Sequence, residues 1–251
     1  MRMVDSHYQT TAEDSLFHIF HSGKYVYCFL LCFCLILSFS VSVAAAADYP
    51  CATSCSDGNL PGNLQNTVSS PKPDIWCFGV GEGFRAGTRV FGASAGTSYG
   101  ILVFGGIEHH QLSMISVSYG EMTGDMKGTD KWYRGNIELR AELFGGAQFN
   151  SERLSLGGVA PHIRYLFATG TRLIPFIDAG AGVLLTEIRG PDLGGAFEFN
   201  EQVIIGADYF LKDNWSINVT IQYLHISDAG IAMPNNGVNT VGGFLGAQWF
   251  F

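Results

Sequence analysis

From Trp215 to Ser227 the chain alternates without interruption. Trp215, Ile217, Val219, Ile221 and Tyr223 are apolar, and Ser216, Asn218, Thr220 and Gln222 between them are polar. A period of two puts these sets on opposite faces of a strand, one greasy and one wet. His225 and Ser227 continue the greasy face. A base and a hydroxyl at the end of an apolar face point to chemistry on a lipid.

The pattern recurs along the chain. We expect strands at Phe78–Thr88, Gln111–Gly120, Tyr133–Gly146, Leu156–Ala168, Arg172–Glu187, Phe197–Leu211, Trp215–Ser227 and Val241–Phe251, with Ser98–Gly106 competing for the first position. Several are two-faced: Ile137, Leu139, Ala141 and Leu143 oppose Asn136, Glu138, Arg140 and Glu142, and Ile163, Tyr165 and Phe167 oppose His162 and Arg164. Segments of about ten residues of this kind, separated by turn signals, are the mark of a membrane barrel. The expected fold is therefore all-β, an eight-stranded antiparallel transmembrane β-barrel, whose inward Glu138, Arg140, Glu142, His162, Arg164, Asp178 and Asp208 form an ion-paired interior. A soluble sandwich or lipocalin-like barrel would show the same alternation with the apolar face turned inward. The terminal aromatic segment ending in Phe251 resembles the C-terminal signal of bacterial outer-membrane barrels, and it favours the membrane reading.

Residues 1–47 read as a secretory signal. Lys24 precedes an apolar run from Tyr25 to Val43, and Ala44 to Ala47 offer a small-residue cleavage site. The run is long enough for a transmembrane anchor, the rival reading. Asp5, Glu13 and Asp14 are foreign to a basic leader and suggest a start codon placed too far upstream. Residues 48–74, rich in Ser, Gly, Asn and Pro, read as a flexible arm, and 75–251 as the barrel domain.

Removing Arg2, Lys24, Asp5, Glu13 and Asp14 with the signal leaves the chain one unit less negative than its full −8. That balance excludes nucleic acid as the main partner, since such a surface is basic. Cys51, Cys55 and Cys77 remain after cleavage; a Cys51–Cys55 bridge is open to an exported chain, and zinc is disfavoured without a Cys-x-x-Cys or His cluster. The glycine runs Gly79–Gly83 and Gly180–Gly182 precede no helical pattern, so they are not nucleotide loops, and no cofactor is expected. His109 and His110 read as a solvated pair.

Residues i and i+2 of a strand share a face, so His225 can accept the Ser227 proton, the pairing that acyl transfer needs. The loop that follows, Asp228 to Thr240, carries Gly230, Asn235, Asn236 and Asn239, a supply of oxyanion donors and of groups to orient the imidazole. The whole string His225-Ile-Ser227-Asp-Ala-Gly230, then Pro234-Asn235-Asn-Gly237-Val-Asn239, resembles the His-x-Ser-Asn-Ala-Gly and Pro-Asn-x-Gly signature of the PagL-like lipid A 3-O-deacylases. The likeness runs more loosely over Gly157 to Phe251.

That resemblance implies Ser227 as nucleophile, His225 as base, and the Gly230 amide and Asn235 side chain as oxyanion donors. Two positions depart from the family. Asn239 stands where the acidic third member belongs, and Asp228 replaces the Asn after the nucleophile, which makes Asp228 a candidate surrogate acid. The resemblance implies an outer-membrane esterase acting on an ester-linked acyl chain of lipid A in lipopolysaccharide, with outer-membrane lipid around it and its site at the outer leaflet. A homodimer is left open. The alternative is a non-catalytic structural or adhesive barrel, which the loss of the acid at Asn239 keeps in play.

Overall fold

The computed structural model describes residues 84–150 and 153–251. The expected signal, the arm, Cys51, Cys55, Cys77 and residues 78–83 of the first expected strand lie outside the described residues. Eight strands follow one another: β1 (Arg89–Gly100), β2 (Leu112–Met122), β3 (Gly135–Gln148), β4 (Ser155–Phe167), β5 (Leu173–Thr186), β6 (Phe197–Lys212), β7 (Trp215–Ser227) and β8 (Val238–Phe250). Each pairs antiparallel with its neighbour, and β8 returns to β1 to close a barrel. Closure leaves no strand edge unpaired, the condition for a sheet in lipid.

The first strand is a correction. It is neither Phe78–Thr88 nor Ser98–Gly106 but Arg89–Gly100. Its outward Ala93 and Ala95 and inward Gly92, Ser94 and Gly96 are small on both faces, so the apolar period is faint in the sequence. Its pairing with β2 and β8 supplies what its side chains do not.

The apolar faces point outward. Ile115, Val219, Leu245 and Leu185 are each more than 60% exposed, and Val203, Ile205, Ile217, Ile221 and Ile177 are exposed with them. A continuous apolar belt of this extent is not tolerated in water. It removes the soluble-barrel reading, which needed these residues inside. Aromatic rings flank the belt at both ends. On one rim Trp215 stacks on Trp249, Trp249 meets Phe251, and Tyr165 meets Phe167; on the other Tyr99 meets Phe149 and Phe197 meets Phe199. Two girdles around an apolar band are the signature of a transmembrane barrel.

The interior has three layers. In the middle, Asp178 accepts from His162 Nδ1 at 2.8 Å and Arg164 Nε at 3.0 Å, with Arg140 Nη1 3.6 Å away. His162 Nε2 lies 3.2 Å from Glu142, and Asp208 accepts from Ser216 and Gln248 at 2.8 Å. This is the expected ion-paired set. Apolar layers lie to either side of it. An apolar cluster with Phe84, Phe176, Phe210 and Phe250 fills one end, and another with Leu112, Phe144, Leu193 and Phe244 fills the other. Gly180 sits directly across from His162, and a Cβ there would collide with the imidazole.

Phe251 helps to close the barrel. Its N–H donates to Arg89 O and its carbonyl accepts from Arg89 N–H, both at 2.9 Å. Deleting Phe251 removes that clasp and a ring from the girdle. We expect the folded, heat-modifiable gel band to be lost at a lower temperature than in the parent chain. An unchanged melting temperature would show that closure does not depend on this residue.

Candidate active site

The site forms where β7 and β8 meet at the rim away from the last strand's end. His225 on β7 is paired in register with Asn239 on β8. Asn239 was expected in the loop, but β8 begins at Val238, three residues before the expected strand, because the ladder with β7 continues to Ile226↔Val238. His225 and Ser227 lie on the outward face, as the alternation predicts, and both are half-buried.

The hydrogen bonds run in one line. Ser227 Oγ is 3.1 Å from His225 Nε2, and His225 Nδ1 is 2.7 Å from Asn239 Oδ1. An amide oxygen only accepts, so Nδ1 carries the proton and Nε2 presents its lone pair to the hydroxyl. The Tyr223 hydroxyl donates to the same Oδ1 at 2.7 Å. The sequence reading did not assign Tyr223 a role, although its position two residues before His225 on the same face was the available signal. Gly237 lies against the ring: it has φ +81°, and a Cβ there would stand 2.9 Å from His225 Cε1. A side chain at 237 would be strained and would push the imidazole away from its partners.

The loop after Ser227 does different work from that expected. Asp228 is 1% exposed on the inward side, and its carboxylate accepts from Gly230 N–H at 2.8 Å and Ala232 N–H at 2.6 Å. It caps a turn in which Ala229 and Gly230 both take left-handed conformations (φ +58° and +84°). The structure does not bring Asp228 to the imidazole, because strict alternation persists through Ser227 and turns the next side chain inward. Gly230 N–H is engaged by that same carboxylate. Asn235 Oδ1 accepts from Asp228 N–H at 3.2 Å, which leaves the Asn235 NH2 group for another acceptor.

Of the two adjacent histidines, His109 is exposed and its Nδ1 bonds to Gly100 O. His110 is not solvated as expected; it is 3% exposed, between Gln148 and Asp192. Neither Asp192 nor His110 carried a local signal, since their partners are some eighty residues apart in the chain.

Around the site the loops are apolar. Leu102, Phe104 and Ile107 from the β1–β2 loop and Ile231 and Met233 from the β7–β8 loop are at least half exposed.

These features match a known family. The family model described as Lipid A 3-O-deacylase (PagL) covers residues 115–248, more than half of the chain. The chain belongs to this family. It is 34% identical over 84 residues to the lipid A deacylase PagL of Pseudomonas aeruginosa, a match over 32% of this chain and 46% of that relative. The chain thus spans about half the length of the curated relative it matches. Among solved structures, the outer membrane enzyme PagL aligns at 20% identity and TM-score 0.48, over 62% of this chain and 97% of that one. Neisserial surface protein A aligns at 16% identity and TM-score 0.50, over 66% and 99%. The latter shows a shared barrel fold. A PagL-family barrel with this exterior is a protein of the bacterial outer membrane.

Proposed function

We propose that the chain is an outer-membrane esterase that hydrolyses the ester-linked acyl chain at the 3-O position of lipid A, with Ser227 as nucleophile and His225 as general base. The single observation that carries this reading is the line Ser227 Oγ, His225 Nε2, His225 Nδ1, Asn239 Oδ1, which stands on the lipid-facing side of a PagL-family barrel. The exposed Leu102, Phe104, Ile231 and Met233 beside it suit an acylated substrate.

One end carries the loops 101–111, 149–154, 187–196 and 228–237, and the other carries the twelve-residue 123–134, the five-residue 168–172 and the two-residue turn Asp213-Asn214, so the first end holds about twice as much loop as the second. Long loops belong outside the cell and short turns in the periplasm. On this orientation the site meets the outer leaflet, where acyl chains of lipopolysaccharide are found.

Ser227 Oγ attacks the ester carbonyl carbon while His225 Nε2 takes its proton. The oxyanion falls to the Asn235 NH2 group, with Gly230 N–H joining only on leaving Asp228. Collapse of the intermediate breaks the bond to the sugar oxygen, which takes the proton from His225. Water then attacks the acyl-Ser227 ester, again giving its proton to His225; the acyl carbon–Oγ bond breaks, Oγ takes that proton back, and the fatty acid leaves. Asn239 holds the imidazole tautomer throughout, though it stabilises the imidazolium less than a carboxylate would.

Mass spectrometry of lipid A from cells with and without the protein tests this. Loss of one ester-linked acyl chain is expected; an unchanged lipid A in cells holding folded barrel would favour the non-catalytic reading that Asn239 suggests.

Asp228 gives a separate test. As a turn cap it is not exchangeable with an acid at position 239. Asp228→Asn keeps one of the two acceptors, so we expect a fall in rate of about tenfold, the lower end of the scale of one lost charge-assisted hydrogen bond, and no repair on adding Asn239→Glu. Repair by Asn239→Glu would instead make Asp228 the surrogate acid.

A further inference from the structure

Asn239 is covered by something that its own strand does not supply. It faces outward on β8 with Val241 and Leu245, which are 38% and 68% exposed, yet it is itself 3% exposed. The β1–β2 loop lies across it. Ile101 N–H donates to Asn239 O at 2.9 Å, and Asn239 Nδ2 donates to Val103 O at 2.8 Å.

That second bond carries chemical information. A carboxylate presents two equivalent oxygens to an imidazole, whereas an amide presents an acceptor at one end and a donor at the other. Val103 O accepts only, so it draws the NH2 end of Asn239 toward itself and turns Oδ1 to His225. With the amide reversed, the NH2 group would face Nδ1 and favour the tautomer protonated on Nε2. Nε2 would then have no lone pair for the Ser227 proton.

The loop's place depends on one residue in the β5–β6 loop. Asp192, fully buried, accepts from Ile107 N–H at 2.8 Å, Glu108 N–H at 2.9 Å and His110 Nε2 at 2.9 Å. Its own carbonyl accepts from Asn236 N–H at 2.9 Å and Gly237 N–H at 3.1 Å. Gly237 is the residue packed against the His225 ring. One side chain and one carbonyl therefore hold both the loop over Asn239 and the backbone beside the base.

We propose that Asp192 and His110 are positioning residues: their clasp sets the β1–β2 loop so that Val103 O fixes the Asn239 amide, and through it the His225 tautomer. The inference rests on the Ser227–His225 reading. It assigns to a loop the orienting task that an acid at position 239 would perform unaided.

The test uses the full chain, folded in detergent, with Asp192→Asn made alone and in the Asn239→Glu background. Nitrogen-15 spectra of labelled histidine report the His225 tautomer whether or not any substrate turns over. We expect the parent chain to show Nδ1–H and Asp192→Asn to show a mixture. Deacylation kcat should fall at least about tenfold with KM little changed, because a wrong tautomer alone can cost up to about 10⁴-fold. In the Asn239→Glu background the same substitution should cost less than about threefold, since interacting sites are non-additive. Gel migration confirms the folded barrel in each case, and if Asp192→Asn does not fold, His110→Ala removes one donor and carries the same comparison. An unmoved tautomer, or an equal loss in both backgrounds, overturns the proposal. A tautomer that shifts in a protein without acyl release would uphold the clasp and sink the lipid A reading instead.

Discussion

Ser227→Ala is expected to stop acyl-chain release while the barrel still folds. Oγ is the atom that would carry the acyl group, and no hydroxyl replaces it. His225→Ala should be comparably damaging, because it removes the base 3.1 Å from Oγ and leaves Asn239 and Tyr223 with nothing to orient. Loss of a positioned base commonly lowers rates by about two to four orders of magnitude. Both side chains are half-buried on the outward face and belong to neither interior cluster, so heat-modifiable migration should be unchanged. Fatty-acid release from lipid A by purified variants is the measurement. Near-parental rates in either variant would remove the proposed mechanism.

The second large effect concerns stability. Asp178 is 3% exposed and faces His162, Arg164 and Arg140 at once. Asp178→Ala would leave these groups buried around a missing carboxylate. Breaking a buried pair from one side usually costs about 3–5 kcal/mol. The urea midpoint of the folded gel band should drop sharply, and assembly in cells should fall with it. Glu142 pairs with His162 and Glu138 stands 3.9 Å from Arg164, so among the described residues each covers one of the three cations and Arg140 loses its ion pair outright. A midpoint equal to the parent's would mean that the network does not hold the barrel together.

Seven of the strands were legible because lipid outside and packed polar groups inside write a strong period of two. Residues such as Ile217, Val219 and Ile221 on one face and Asn218 and Gln222 on the other leave no choice of register. β1 was hidden because Ala93, Ala95, Gly92 and Gly96 make both faces small. Ser227 and His225 were legible for the same reason as the strands, since i and i+2 must share a face. Asn239 was found by resemblance and misplaced in a loop; its register opposite His225 is a property of the β7–β8 ladder, which no single strand encodes. Asp228's bonds to Gly230 N–H and Ala232 N–H were not legible, because they depend on the turn that the chain makes after Ser227 rather than on the spacing of Asp228 from His225. Asp192 and His110 lay beyond sequence reasoning, as their meeting depends on three loops converging.

The layered interior has a meaning for the cell as well as for the fold. The cavity between Ser94, Arg140, Glu142, Gln222 and Phe244 holds only about 30 Å³, and phenylalanines close the barrel above and below it. Among the described residues, the barrel axis is packed with side chains rather than lined as a water-filled channel. A barrel packed in this way is a plug rather than a pore, so the one face it leaves open to lipid-borne molecules is its outer wall.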